Sequence, residues 1–90
     1  MTDNAKPEVI DAIRGKSFLA VQAASQELAR HNLDIVGYKI TLVMKGESVV
    51  VIFTDQNAPP GVRGSGGVKP GFEVELNARD LSVIRSYFVR

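Results

Sequence analysis

Between Ser48 and Thr54 the chain reads Ser-Val-Val-Val-Ile-Phe-Thr, and every residue from Val49 to Phe53 is of a type that a pleated surface packs well. A strand that is apolar on both faces belongs in the centre of a sheet, with something covering each side. The chain has 90 residues, which makes a single domain, 1–90, and leaves little material to lay over such a strand. The remaining sequence must supply a neighbour on each edge and at least one covering layer.

One layer precedes the strand. From Pro7 to about His31 the apolar period is helical, with Val9, Ile10, Ile13, Ala20, Val21, Ala24 and Leu28 inside one stripe about 120° wide. Pro7 suits the first turn, Glu8 and Asp11 suit the positive end of the helix dipole, and Asn32 suits the stop. Gly15 either lies on the solvent face of one long helix or divides a short helix from a second one capped by Ser17. Phe18 and Leu19 fall outside the stripe, one on each flank, and are candidates for contact with a second molecule.

The neighbours follow in order. Tyr38, Ile40, Leu42 and Met44 alternate with Lys39, Thr41, Val43 and Lys45, a strand with one buried face, and Lys45–Ser48 makes a short turn. Phe72, Val74 and Leu76 alternate with Glu73 and Glu75 in a third strand, and Val83–Val89 returns as a fourth after a turn over Asn77–Ser82. Pairing Leu76 with Ile84 brings Phe72 to Phe88 and Glu75 to Arg85, so that apolar meets apolar and opposite charges meet. Residues 55–71 hold five glycines and three prolines, which predicts a long hairpin loop, either functional or mobile. The expected fold is α+β in the order α-β-β-β-β, with one N-terminal helix packed on an antiparallel four-stranded sheet.

The segment Gly71-Phe72-Glu73-Val74-Glu75-Leu76-Asn77-Ala78-Arg79-Asp80-Leu81-Ser82-Val83-Ile84 resembles the closing hairpin of PepSY-type domains. The whole layout resembles the cystatin-like group, in which a sheet curls around an N-terminal helix. The hairpin departs from the PepSY pattern at Leu81, where that family places glycine. The resemblance implies a protein-binding, inhibitory or immunity-type role. It transfers no inhibitory residue, because the glycine-valine loop motif of true cystatins is missing here.

Composition narrows the chemistry. Eleven Lys plus Arg against ten Asp plus Glu give a net charge of +1, so nothing pulls specifically at nucleic acid or an anionic membrane. The absence of cysteine excludes disulfides, thiolate metal sites and thiol catalysis, and a single histidine excludes imidazole clusters. No apolar run approaches the ~20 residues of a membrane span, and the polar start, Met1 to Lys6, carries no secretory signal pattern. A cytoplasmic protein without a cofactor is the expectation.

Four local features invite a site. Gly15-Lys16-Ser17 lacks the upstream glycine of a phosphate-binding loop, since Ile10 stands there. His31 has Asp34 nearby but no serine in a nucleophile elbow. Glu73 and Glu75 share a strand face, where paired carboxylates serve acid–base chemistry or a divalent cation, and where Arg85, Lys39 and Lys45 offer ion pairs. Arg63-Gly64-Ser65-Gly66-Gly67, with Lys69, can wrap an anion or meet a partner.

The outer sheet face carries the functional expectation. One helix covers one side, so Val50 and Ile52, with Val43 and Tyr87, form an apolar strip among Glu73, Glu75, Lys39 and Arg85. The chain is therefore expected to be a non-enzymatic protein-binding module, a homodimer or a complex with another protein. Its expected contact residues are Phe18, Leu19, Val43, Val50, Ile52, Arg63 and Tyr87. The alternative is a small-ligand pocket between helix and sheet lined by Tyr38, Phe53 and Phe88; an enzyme would have to use Glu73, Glu75 or His31.

Overall fold

The computed structural model describes residues 7–57 and 69–89. A helix, α1 (Gly15–Arg30), is followed by β1 (Tyr38–Lys45), β2 (Ser48–Asp55), β3 (Gly71–Asn77) and β4 (Val83–Val89). The strands form one sheet in the order β1-β2-β3-β4 with every pair antiparallel. The doubly apolar strand β2 is central, as its composition demands, and α1 packs over β3, β2 and β4.

The helix is shorter than its apolar stripe. Arg14 has extended backbone, the Phe18 N–H donates to the Arg14 carbonyl at 3.0 Å, and no side chain caps the first turn. Residues 7–14 are non-helical and exposed, with Ile10 at 90%. Val9, Ile10 and Ile13 thus leave the expected stripe, Glu8 and Asp11 are not in the first turn, and Ser17 is not a cap. Length explains the break: 16 helical residues span ~24 Å, which matches strands of seven or eight residues at ~3.3 Å each. An N-terminal extension would project past the sheet with nothing to bury against, and Gly15 makes that a favourable place to stop.

Ala20, Ala24 and Leu28, four residues apart, are the buried line of α1. At its C-terminus Asn32 takes φ 60. The Asn32 N–H then donates to the Ala29 carbonyl at 2.9 Å and the Leu33 N–H to the Leu28 carbonyl at 3.3 Å. These bonds satisfy carbonyls that the helix end would otherwise orphan, and they turn Leu33 back onto the core.

Val49, Val51 and Phe53 of β2 join Phe72, Val74 and Leu76 of β3 beneath the helix. Phe53 pairs with Phe72 and Phe72 with Phe88, so three aromatic rings lie in one row across the sheet. The Phe72 and Phe88 centroids are 5.0 Å apart, and Tyr38 meets Phe53 edge-on at 6.0 Å.

The β3–β4 register holds at Phe72 with Phe88 and Glu75 with Arg85, but Leu76 pairs with Val83 instead of Ile84. A bulge inserts Ile84 as an extra residue. The tight turn before it sets this offset: the Asn77 N–H donates to the Ser82 carbonyl at 2.8 Å, and Leu81 takes φ 61. The expected 55–71 loop is also trimmed at both ends, since Asp55 belongs to β2 and Gly71 to β3. Its middle, residues 58–68 and with them Arg63, lies outside the described residues.

Candidate functional site

Strand alternation separates the sequence-derived contact residues into two groups. Val43 pairs with Val50, Val50 with Glu75 and Glu75 with Arg85; one step along, Thr41 pairs with Ile52, Ile52 with Glu73 and Glu73 with Tyr87. These two rows form the sheet face opposite the helix, so Val43, Val50, Ile52 and Tyr87 do come together. Phe18 and Leu19, both half-exposed, sit on α1 on the other side of the sheet. They belong to a different surface.

Within the outer face, exposure is uneven. Val43 is 42% exposed and Tyr87 43%, whereas Val50 is only 8% exposed and Ile52 is partly buried. Val50 is therefore not the exposed contact that its sequence position suggests. Its position on the central strand explains this, because Val43 and Glu75 flank it closely on either side.

The charges on this face are tied to one another. Arg85 Nε meets Glu75 Oε1 at 2.9 Å, and the Tyr87 hydroxyl donates to Glu73 Oε1 at 2.8 Å. That hydrogen bond, together with some burial, raises the Tyr87 pKa above the ordinary phenol value. Glu73 and Glu75 thus hold neighbours on the same strand as Tyr87, an arrangement of lateral pairing.

The other chemical candidates are placed as follows. His31 ends α1 edge-on to two rings, 5.2 Å from Phe72 and 5.0 Å from Phe88. Gly15-Lys16-Ser17 opens the helix. Among the described residues no three His, Asp or Glu side chains converge as a metal site, and no helix is long and apolar enough to cross a membrane.

Of the pocket expected between Tyr38, Phe53 and Phe88, the part around Phe53 is occupied by side chains. Phe53 and Phe72 are fully buried there, and His31 closes the end of the row. Open volume lies instead between α1 and β1, the strand the helix does not cover. One groove of about 380 Å³ is lined by Lys16, Ala20, Leu42, Met44, Val49 and Leu81, among others. A second, of about 670 Å³, includes Ile13, Val21, Tyr38, Ile40 and Gln56.

A polar clamp at the other end of the sheet has no counterpart in the sequence reading. Asp55, 8% exposed, accepts from the Asn57 N–H through Oδ1 and from the Lys69 N–H through Oδ2, both at 2.8 Å. These backbone donors hold its carboxyl below the usual carboxylate range. The Tyr38 hydroxyl donates to the Pro70 carbonyl at 2.7 Å, and burial raises its pKa, with the Asp55 charge adding to the effect. The Lys69 ammonium donates to the Asp34 carbonyl at 3.2 Å and to the Val36 carbonyl, and lies 4.9 Å from the Tyr38 ring centre. The clamp ties Lys69 both to the end of β2 and to the turn before β1, and the Gln56 N–H donates to the Gly37 carbonyl of that turn at 3.0 Å. Only an Asp followed two residues later by Asn hinted at it, as a local turn.

The α+β architecture is therefore established from the chain's own geometry. Comparison with family models, with curated proteins and with solved structures finds no match for this chain.

Proposed function

We propose that the chain is a non-enzymatic protein-binding module that takes a protein partner on the outer face of its sheet. One observation carries the reading. Val43 and Tyr87 are exposed on either side of Ile52, on a face whose carboxylates are already engaged by Arg85 and Tyr87. A face of that kind offers apolar surface without the cost of stripping water from unpaired carboxylates. The interior around Phe53 and Phe72 is filled, so the small-ligand alternative would have to use the open groove beside Tyr38, between α1 and β1.

An inhibitor or immunity-type role within a cystatin-like or PepSY-type group is the finer form of this proposal. The helix-on-sheet layout supports it, as does Leu81, whose φ of 61 is a conformation glycine adopts freely at the position where PepSY hairpins carry glycine. A cysteine-free chain fits a cytoplasmic setting.

The test compares partner capture by the wild-type chain with capture by Val43→Lys and by Phe18→Ser, each checked first for an unchanged fold by circular dichroism. Val43→Lys is expected to abolish recovery of a specific partner while Phe18→Ser keeps it. Equal recovery with Val43→Lys sinks the outer-face assignment.

A further inference from the structure

The layer above the sheet is incomplete. Ile40, Leu42 and Met44 of β1 pair with Phe53, Val51 and Val49, so they share the sheet face on which α1 lies. The helix packs over β3, β2 and β4 and leaves β1 largely uncovered. Met44 is 65% exposed, and Ile40 and Leu42 are only partly buried. The two grooves between α1 and β1, of about 380 Å³ and about 670 Å³, both reach Ser17 and Leu42 and so adjoin along the strand. Together they follow β1 from Met44 back to Tyr38.

The chain ahead of the helix runs the same way. Arg14 lines the groove at the Met44 end, whereas Asp11 and Ile13 line the groove at the Tyr38 end. Extended backbone at Arg14 turns the segment back beside α1 instead of prolonging the helix axis. An extended segment points every second side chain to the same side. Period two therefore groups Val9 with Asp11 and Ile13, the two residues that line the groove, and sets Ile10 with Ala12 on the opposite side.

The segment and the groove are complementary. Val9 is 80% exposed and Ile13 64%, beside an apolar wall that lacks a cover. The charges that line the larger groove are Asp11 from the segment and Lys39 from β1, of opposite sign. Both chains rise ~3.3 Å per residue when extended, so with Ile13 level with Leu42, Asp11 is level with Ile40 and Val9 with Tyr38. Asp11 then lies within reach of Lys39, the residue before Ile40.

We infer that residues 7–14 form a strap that closes into the groove between α1 and β1, seating Ile13 against Val21 and Leu42 and Val9 against Tyr38, with Asp11 facing Lys39. Ile10, 90% exposed, stays outside. The strap gives the one strand that the helix misses a cover drawn from the chain itself. It is tethered at Gly15, so closure draws on a high effective concentration and does not need the area of an interface between two molecules. The closed strap fills the space beside Tyr38 that the small-ligand alternative would use, so any ligand there has to displace it. The inference is independent of the outer-face proposal, since Ile52 and Tyr87 lie on the opposite face.

Nuclear Overhauser contacts in the full chain test it. The Val9 methyls are expected to contact the Tyr38 ring and the Ile13 methyl groups those of Leu42, while Ile10 contacts neither. Trypsin cleavage after Arg14 reads how far the strap is closed. Val9→Asp is expected to speed it several-fold, because a charge is costly to bury in an apolar groove, and Ile10→Asp is expected to leave the wild-type rate. Both substituted residues lie outside the core, so the fold is kept in each variant. Three outcomes overturn the inference: no contact between Val9 and Tyr38, equal cleavage of the two variants, or contacts found only between isotope-labelled and unlabelled chains, which would seat the segment of a second copy in the groove.

Discussion

Phe72→Ala and Phe88→Ala differ only in position along one aromatic row, and the first should cost more than the second by about 1–2 kcal/mol. Phe72 is fully buried, touching Phe53 on one side and Phe88 and His31 on the other. Removing its ring deletes the transfer term and leaves a cavity that two fixed strands and a helix cannot collapse, about 3–5 kcal/mol. Phe88 is 44% exposed, so its ring buries about 100 Å². At ~25 cal/mol per Å², with no closed cavity left behind, its loss costs at most about 2.5 kcal/mol. A domain of this length holds roughly 5–13 kcal/mol in all, so Phe72→Leu is the graded companion, expected to cost less than about 2 kcal/mol. Urea unfolding followed by far-ultraviolet circular dichroism suits a chain without tryptophan. It should be run near 5 µM, so that self-association adds nothing to the apparent stability. Equal costs for the two alanine variants, or a Phe72→Ala cost below about 1 kcal/mol, would mean that the row lines a space instead of filling one.

Three further outcomes follow from particular geometries. Gly37→Ala should destabilise by about 1–2 kcal/mol, because Gly37 sits at φ 94 and a Cβ there would stand 2.9 Å from the Lys69 ammonium nitrogen; thermal unfolding reads it. Leu81→Ala should be less stable than Leu81→Gly by about 1 kcal/mol, reversing the usual order, since both lose the partly buried side chain but only glycine relieves φ 61. Asp55, whose carboxyl is held below its unfolded value by the Asn57 and Lys69 amides, contributes stability that is present above the unfolded pKa near 3.8 and lost as pH falls through the folded one. Asp55→Asn should flatten that acid limb in urea titrations run between neutral and acidic pH, and an unchanged slope would remove the clamp from the account.

Most of the fold was legible because its signals are local and repeated. Period-two alternation marked β1 and β3, a doubly apolar run marked β2 as central, and Asn32 marked the helix stop at its left-handed residue. The helix start was not legible, because the stripe of Val9, Ile10 and Ile13 continues the period past the point where the sheet ends. Periodicity reports which face could be buried. Only the length of the opposing layer decides how much of it is. The β4 register failed for a related reason: pairing Leu76 with Ile84 satisfies every side-chain match, and the bulge that prevents it comes from a left-handed Leu81, a residue type that gives no warning of that conformation.

Which residues share the outer face was legible, and how exposed each of them is was not. The sequence marks Val50 and Ile52 as surplus apolar surface, yet a central strand is the best place in a sheet to be covered by neighbours, and Val50 is buried without any partner at all. The surplus moves outwards, to strands with a neighbour on one side only: Val43 and Met44 on β1, Val83, Ile84, Tyr87 and Phe88 on β4. Two of these, Tyr87 and Phe88, are adjacent residues on opposite faces of the same edge strand, so no single covering layer can reach both. The excess of apolar residues in this small four-stranded sheet is thus carried mainly by its edge strands, and at the β1 edge Lys39 and Lys45 discourage pairing with another strand.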